Sequence, residues 1–384
     1  MKTPFIYAPI LRGKEGEIRA LGFLAPKTQN LIRPMLDIPA YEAADLPARL
    51  CHLVDQIGRT WGTAHSLLFD MSRYEPDAST DEGVHPIELL FEQARQRKLL
   101  AIPVTGPEDD RGPGDRYLTA VASIAKRQGR GLGLRVSFED FQSLTVFRAI
   151  LDDTLFKLEV EPSDVDLYLD AGSIGKLALG EASIASVVEA TGNASKVAAA
   201  MGFRTIVFSG TSIPDSVGPK FNSRPCRAPR QELEVWRTLH ADLNIPTIVL
   251  GDYGVMSPLQ SDNGGSRPPS RIRLSTAHEH VLFRGDSDEY LRLRSIVAKS
   301  QAMREQVDSW GRRCLLGRGV SGPGNATDWV ARDTNASLET TCEMLAKQVG
   351  EKVRIPHIDL RRAGTAAWRQ EGLDLPGQQP ESPQ

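Results

Sequence analysis

Charged side chains stand at the ends of several short apolar runs, and six of them have the types and spacing to do chemistry together. They are Lys14, Glu17, Asp70, Arg135, Asp170 and Asp252. Aspartates supply the oxygen ligands that a hard cation such as Mg²⁺ prefers. Lysine and arginine side chains bind phosphate or carboxylate groups. The set therefore predicts a polar ligand site, without identifying a catalytic residue, a cofactor or a resident metal.

Two other interpretations of these residues stay open. An aspartate that follows a strand often caps the next helix, and opposite charges at one end of a sheet often pair structurally. A metal-assisted hydrolase acting on a phosphorylated or nucleotide substrate is the enzymatic alternative. It lacks a usual feature of such enzymes, because none of the apolar runs ends in a histidine. Whether the protein is an enzyme is therefore left open.

The stretch after the first apolar run, RGKEGE at residues 12–17, is dense in charge. Lys14 and Glu17 are three residues apart, a spacing that places both side chains on one face of a helix. We expect Lys14 to stand at the rim of the site, oriented by Glu17. There it would offer its ammonium group to an anionic ligand beside Arg135.

Eight apolar runs must position these residues. They occupy residues 5–11, 31–38, 66–70, 99–104, 131–137, 165–170, 203–209 and 246–251. Amphipathic segments separate them, and apolar strands alternating with helices are typical of a parallel sheet covered on both faces. Eight such strands close a (β/α)₈ barrel, whose functional face lies at the C-terminal ends of the strands. The rival fold is an open doubly wound sheet, but neither GxGxxG nor a P-loop follows the first run.

The alternation of strands and helices stops near residue 254, so residues 1–254 are predicted to form the barrel. Residues 255–371 are predicted to add a β-hairpin and helices that pack on it. The hairpin covers residues 272–286, and His278 and His280 are expected in an exposed turn at its tip. Residues 372–384 are rich in proline and glutamine and predict a disordered tail.

The chain of 384 residues has a net charge of −3, which argues against nonspecific binding of nucleic acid. Trp310 and Trp329 lie near Arg312, Arg313 and Arg318 in sequence, but at this net charge ordinary packing is the favoured explanation. No apolar run reaches the roughly 18 residues of a membrane span. The four cysteines are scattered without a CxxC pair. These features predict a cytoplasmic protein with reduced cysteines and no membrane partner.

The opening stretch YAPILRGKEGEIRAL resembles the start of the Beta protein family, which is found in phages, satellites and bacterial genomes. The residues that carry this resemblance are Tyr7, Pro9, Lys14, Gly16, Glu17, Ala20 and Leu21. The later stretches IRPMLDIP, VDLYLDAG and GNATDW fit the same family pattern. The resemblance extends from Phe5 to Val349 and so covers most of the chain.

The resemblance implies an immunity or antitoxin-like role in a phage-defence cassette, with a toxin or defence component encoded nearby as the partner. The family's namesake is encoded beside a killer protein and offsets it. The polar residues add an anionic small molecule as another expected ligand. Family members often carry two histidines after the late tryptophan motif, whereas here none stands between Trp329 and Ser337. If that pair serves an activity, this chain has lost it or uses other groups.

Overall fold

Eight parallel strands form a nearly closed barrel with helices on its outside. The computed structural model describes residues 5–349 apart from 43–44, 81–82, 108–114, 175–182, 216, 223, 243, 245–246, 259–268, 320–321 and 323. The barrel strands are β1 (Ile10–Arg12), β2 (Met35–Asp37), β3 (Ser66–Asp70), β4 (Leu100–Thr105), β5 (Leu132–Ser137), β6 (Val165–Ser173), β7 (Thr205–Thr211) and β9 (Val249–Gly251). All eight predicted strands are present, and the predicted barrel is confirmed.

The first and last strands meet around Tyr7 and Ala8, just before β1. Tyr7 forms parallel bridges with Ile32 and Leu250, and the Ala8 amide donates to the Leu250 carbonyl at 2.8 Å. Strands β3 and β4 are almost entirely buried, as expected for a sheet covered on both faces. The rival open sheet is therefore wrong, because its end strands would not pair with each other.

The strand register brings the polar strand ends to the same level. Arg12 of β1 is level with Asp37 of β2, which is level with Asp70 of β3. On the other side, Ser137 of β5 is level with Asp170 of β6. Side chains far apart in sequence therefore share one rim.

Apolar side chains fill the barrel below this rim. The cluster inside it includes Ile10, Met35, Leu68, Ile102, Tyr168, Val207 and Val249. A larger cluster lies between the strands and the surrounding helices. The barrel interior is therefore a packed core and not a pore, and the polar side chains lie at one end of it.

Nine helices lie along the chain as far as β9 in the described residues. They are α1 (Glu15–Gly22), α2 (Pro26–Gln29), α3 (Leu46–Thr60), α4 (Pro86–Gln96), α5 (Asp115–Gln128), α6 (Phe138–Phe141), α7 (Leu144–Leu158), α8 (Ile184–Met201) and α9 (Gln231–Ala241).

A second, three-stranded sheet lies beside the barrel. Strands β10 (Arg271–Ser275) and β11 (Glu279–Arg284) form the predicted hairpin, and β11 also pairs with β8 (Cys226–Pro229). Sequence reasoning missed β8, because its four residues alternate between half-buried and exposed positions and show no apolar run. Since β8 lies before residue 254, the second sheet takes one strand from the segment assigned to the barrel. The division at residue 254 stays a prediction.

The C-terminal helices are α10 (Tyr290–Ala298), α11 (Gln301–Arg304), α12 (Trp310–Leu315) and α13 (Ala326–Val349). Helix α13 packs against α1, α2, α12 and β10, so it joins the barrel to the second sheet. The predicted tail lies outside the described residues. Among the helices that the structure describes, none has both the length and the apolar character needed to cross a membrane.

Candidate functional site

The predicted site residues all lie at the C-terminal ends of the barrel strands or just after them. Asp70 ends β3, Arg135 and Asp170 lie in β5 and β6, and Asp252 follows β9. Lys14 and Glu17 lie at the start of α1. The structure divides these residues among three local arrangements.

Arg135 is the centre of the first arrangement. Its Nε donates to Asp170 at 2.8 Å, Nη1 to Asp70 at 2.8 Å and Nη2 to the Tyr253 hydroxyl at 2.7 Å. The Tyr253 hydroxyl donates in turn to Asp170 at 2.6 Å. Backbone amides hold the other carboxylate oxygens, because Ser72 N donates to Asp70 and Gly172 N donates to Asp170. We call Arg135, Asp70, Asp170 and Tyr253 the mouth cluster.

The mouth cluster is a fixed arrangement of charges. Burial opposes the charge on Arg135, but Tyr253, Asp170 and Asp70 together raise its pKa well above the ordinary value. Burial, followed by the neighbouring carboxylate of Asp170, raises the pKa of Tyr253. Arg135 is therefore always cationic and Tyr253 is a neutral hydroxyl at physiological pH. Sequence reasoning left Tyr253 out of the site, although it is adjacent to Asp252.

Asp252 belongs to a second arrangement, behind the rim. Its Oδ1 accepts hydrogen bonds from the Tyr7 hydroxyl at 2.5 Å and the Gly254 amide at 2.9 Å. Its Oδ2 accepts from Arg230 at 2.8 Å. Burial raises the pKa of Asp252, while Arg230 and Tyr7 oppose that rise. The structure thus does not bring Asp252 into the mouth cluster.

Arg230 links Asp252 to the second sheet. Its Nε donates to Glu232 at 2.8 Å, and His280 Nε2 lies 3.0 Å from the same carboxylate oxygen. His280 Nδ1 lies 2.9 Å from the hydroxyl of Ser275. Burial opposes ionisation of Glu232, but His280 and Arg230 lower its pKa to about 2.

A hydroxyl, an imidazole and a carboxylate in series are the parts of a nucleophilic triad. Ser275, His280 and Glu232 are each at most 1% exposed, so a substrate has no surface by which to reach the hydroxyl. The series is therefore a structural connection. The expectation that His280 lies in an exposed turn is wrong: only His278 is exposed, because His280 points into this buried network.

Lys14 and Glu17 form the third arrangement. Lys14 is the exposed N-cap residue of α1, whereas Glu17 is buried and its Oε1 has no hydrogen-bond partner among the described residues. Burial raises the pKa of Glu17 to about 8, although Arg12 and Lys14 oppose the shift. Glu17 thus turns inward while Lys14 stays at the surface.

A small cavity of about 10 Å³ lies beside Glu17. Its lining includes Arg12, Asp37, Tyr253 and Ser257. Since Tyr253 also belongs to the mouth cluster, this residue joins the two parts of the rim.

The family model described as Beta protein matches residues 7–341, which is most of the chain. The chain belongs to the Beta protein family. No curated protein matches it. The matched range of this Beta-family protein includes all eight barrel strands, the second sheet and much of α13.

Charged and hydrogen-bonded side chains line the mouth of this Beta-family protein. Among the residues that the structure describes, no three His, Cys, Asp or Glu side chains converge in a way that could hold a metal ion. Asp70 and Asp170 flank a guanidinium group instead. In the family's late tryptophan region, Trp329 is buried and stacks on Tyr290 at 5.0 Å.

Proposed function

We propose that this Beta-family protein is a cytoplasmic binding component of a phage-defence cassette, with an immunity or antitoxin-like role. In this proposal the barrel mouth receives an anionic group of its partner. The partner is a toxin or defence component encoded nearby, and its anionic group is an acidic side chain. An anionic small molecule is a second candidate ligand for the same site. Family membership supports the role in general terms, and the mouth cluster supports the mode of binding.

The observation that carries the proposal is the state of Arg135. Its guanidinium donates to Asp170, Asp70 and Tyr253, and its Nη2 also lies 2.6 Å from Asp170, which leaves at least one of its five N–H groups for a ligand. Its side chain keeps 19% of its surface exposed at the rim. A guanidinium fixed in this way loses little conformational entropy when it binds a carboxylate or phosphate.

The metal-assisted hydrolase is the weaker alternative. It needs the carboxylates of Asp70, Asp170 and Asp252 to share one cation. Two of them bond Arg135, and Asp252 bonds Arg230, so guanidinium groups stand where the cation would bind. No specific observation favours this alternative.

The experiment is a phage-challenge or toxin-neutralisation assay in cells that express the wild type, Lys14→Ala or Lys196→Ala. Both lysines are exposed, but Lys196 lies on α8, on the outside of the barrel. Both variants should melt close to the wild type, because surface substitutions usually change stability by less than about 0.5 kcal/mol. We expect Lys14→Ala to lose protection and Lys196→Ala to keep it. Equal protection by the two variants at equal protein level would refute the mouth as the working site.

A further inference from the structure

The C-terminal helices carry a concentration of positive charge that the whole-chain composition hides. Residues 290–318 contain seven lysines and arginines against two acidic residues, a net charge of +5, whereas the whole chain has −3. The basic residues are Arg292, Arg294, Lys299, Arg304, Arg312, Arg313 and Arg318. We call the surface formed by these seven residues the basic face.

Three residues of the basic face, Arg294, Arg313 and Arg318, lie close together in space. The guanidinium carbon of Arg294 on α10 would be 3.4 Å from a Cβ atom at Gly317. The amide of Arg318 donates to the carbonyl of Arg313 at 2.8 Å, which holds these two residues together. Helices α10 and α12 therefore present their charges to one region of solvent.

Few of these charges are neutralised. Arg292 pairs with Glu289, and Arg313 lies 3.2 Å from Asp308. The pairings among the described residues leave the other five members of the basic face without a carboxylate within 4 Å: Arg294, Lys299, Arg304, Arg312 and Arg318. The Nε of Arg312 is also buried without a hydrogen-bond partner in the described part of the chain.

An aromatic pair adjoins the basic face. The rings of Phe23 and Trp310 stack with their centroids 4.0 Å apart and their planes 7° from parallel. Phe23 nevertheless remains 46% exposed. Trp310 begins α12, and Arg313 lies three residues later on the same side of that helix. Exposed aromatic surface and guanidinium groups thus occur within one helical turn of each other.

We propose that the basic face and Phe23 form a binding surface for single-stranded nucleic acid. Arginines bind phosphates through paired hydrogen bonds, and an exposed ring beside them can stack on an unpaired base. Duplex bases are already stacked on each other and would leave Phe23 unused. The net charge of −3 suggested the opposite conclusion, because it averages the basic face with an acidic remainder.

The test is fluorescence anisotropy of the full-length protein with labelled oligo(dT) and oligo(U) of about 20 nucleotides, from about 50 to 200 mM salt. The wild type should bind and lose affinity steeply as salt rises. The double variant Arg313→Gln/Arg318→Gln should bind about tenfold more weakly at low salt, with a shallower salt dependence. Phe23→Ala should weaken binding about fivefold or more and leave the salt dependence unchanged.

Two controls make the result specific. Arg95→Gln/Arg148→Gln removes the same charge from two exposed arginines on α4 and α7, both paired with acidic neighbours as Arg313 is. It should bind like the wild type, and so should the mouth variant Lys14→Ala. Absence of binding at low salt, or equal losses in the two double variants, overturns the proposal. Equal affinity for duplex with no effect of Phe23→Ala also overturns it, as does preferential binding to vesicles containing phosphatidylserine.

Discussion

At the scale of single residues, Arg135 is stabilised and confined by the same contacts. Asp70 is fully buried and Asp170 nearly so, and two carboxylates this close would repel each other without the guanidinium between them. Removing one partner of a buried ion pair is costly, because the remaining charges are left without compensation. The variant Asp170→Asn would therefore change folding as well as binding, and the exposed Lys14 is the cleaner probe of function.

Arg135→Met should destabilise the protein strongly. It keeps much of the side-chain volume but removes the guanidinium charge that bonds both Asp70 and Asp170, at a cost of about 3–5 kcal/mol. Urea unfolding of Arg135→Met and of Arg95→Met measures this loss. Arg95 is exposed and pairs with Glu92 on the surface, so its variant should keep the wild-type midpoint. Similar midpoints for the two variants would contradict the account of the mouth cluster.

Glu17 should make stability depend on pH. Burial raises its pKa from 4.5 to about 8, so the folded protein holds this proton at pH values where the unfolded chain has released it. Between about pH 5 and 8 the unfolded state then binds fewer protons, and stability falls as pH rises, by at most about 1.4 kcal/mol per pH unit from this group.

The variant Glu17→Gln carries an uncharged side chain of the same shape, so it should lose less stability than the wild type over this pH range. Glu15→Gln is the matched control, because Glu15 is exposed two residues away on the same helix. Denaturation midpoints at several pH values supply the comparison. If stability depended on pH in the same way in all three proteins, Glu17 would not be the source of the pH dependence.

At the scale of elements, α13 does more than cover apolar surface. Strand β10 pairs with β11 on one edge, and on the other its Arg273 and Ser275 amides donate to the side chains of Asp333 and Ser337, each at 3.1 Å. Alternate residues of the strand thus meet residues four apart on the helix. These hydrogen bonds give partners to two backbone amides on the edge of β10, where the strand could otherwise pair with another chain.

Gly16 allows the close approach of α1 and α13. A Cβ atom at this position would lie 2.9 Å from the Thr327 carbonyl oxygen and 3.0 Å from Val330. Gly16→Ala should therefore lower stability by about 1–3 kcal/mol, because the two helices must separate. Gly58→Ala is the control: Gly58 is also helical, and its nearest neighbour, a methyl carbon of Leu99, would be 3.9 Å away. Equal thermal unfolding midpoints for the two variants would contradict close packing of α1 on α13 at Gly16.

The elements differ in how far sequence predicts them. The barrel strands are continuous apolar runs, because both faces of the sheet are buried, and this pattern is visible without any partner. Strand β8 has no such pattern, since β11 alone determines its pairing. The helices expected after the hairpin include α10 and α11, which are separated at Ser300, whose side chain caps the second of them.

At the scale of the whole molecule, topology decides which strand-end residues meet. Parallel strands place their C-terminal ends on one rim, so the location of Asp70, Arg135 and Asp170 was predictable. The bond from Arg230 to Asp252 was not, because Arg230 is positioned by β8 and by the Thr276 carbonyl, 46 residues later. Polar groups that join separate parts of a fold give no periodic signal in sequence.

The most direct test of the mouth as a binding site is native mass spectrometry of the protein purified from its own cells. The wild type, Lys14→Ala and Lys196→Ala are compared for the mass and occupancy of any bound protein or small molecule. We expect a bound species on the wild type and on Lys196→Ala, and occupancy reduced about tenfold in Lys14→Ala because a charged contact is lost. Equal occupancy in all three proteins, or no bound species on the wild type, would contradict it.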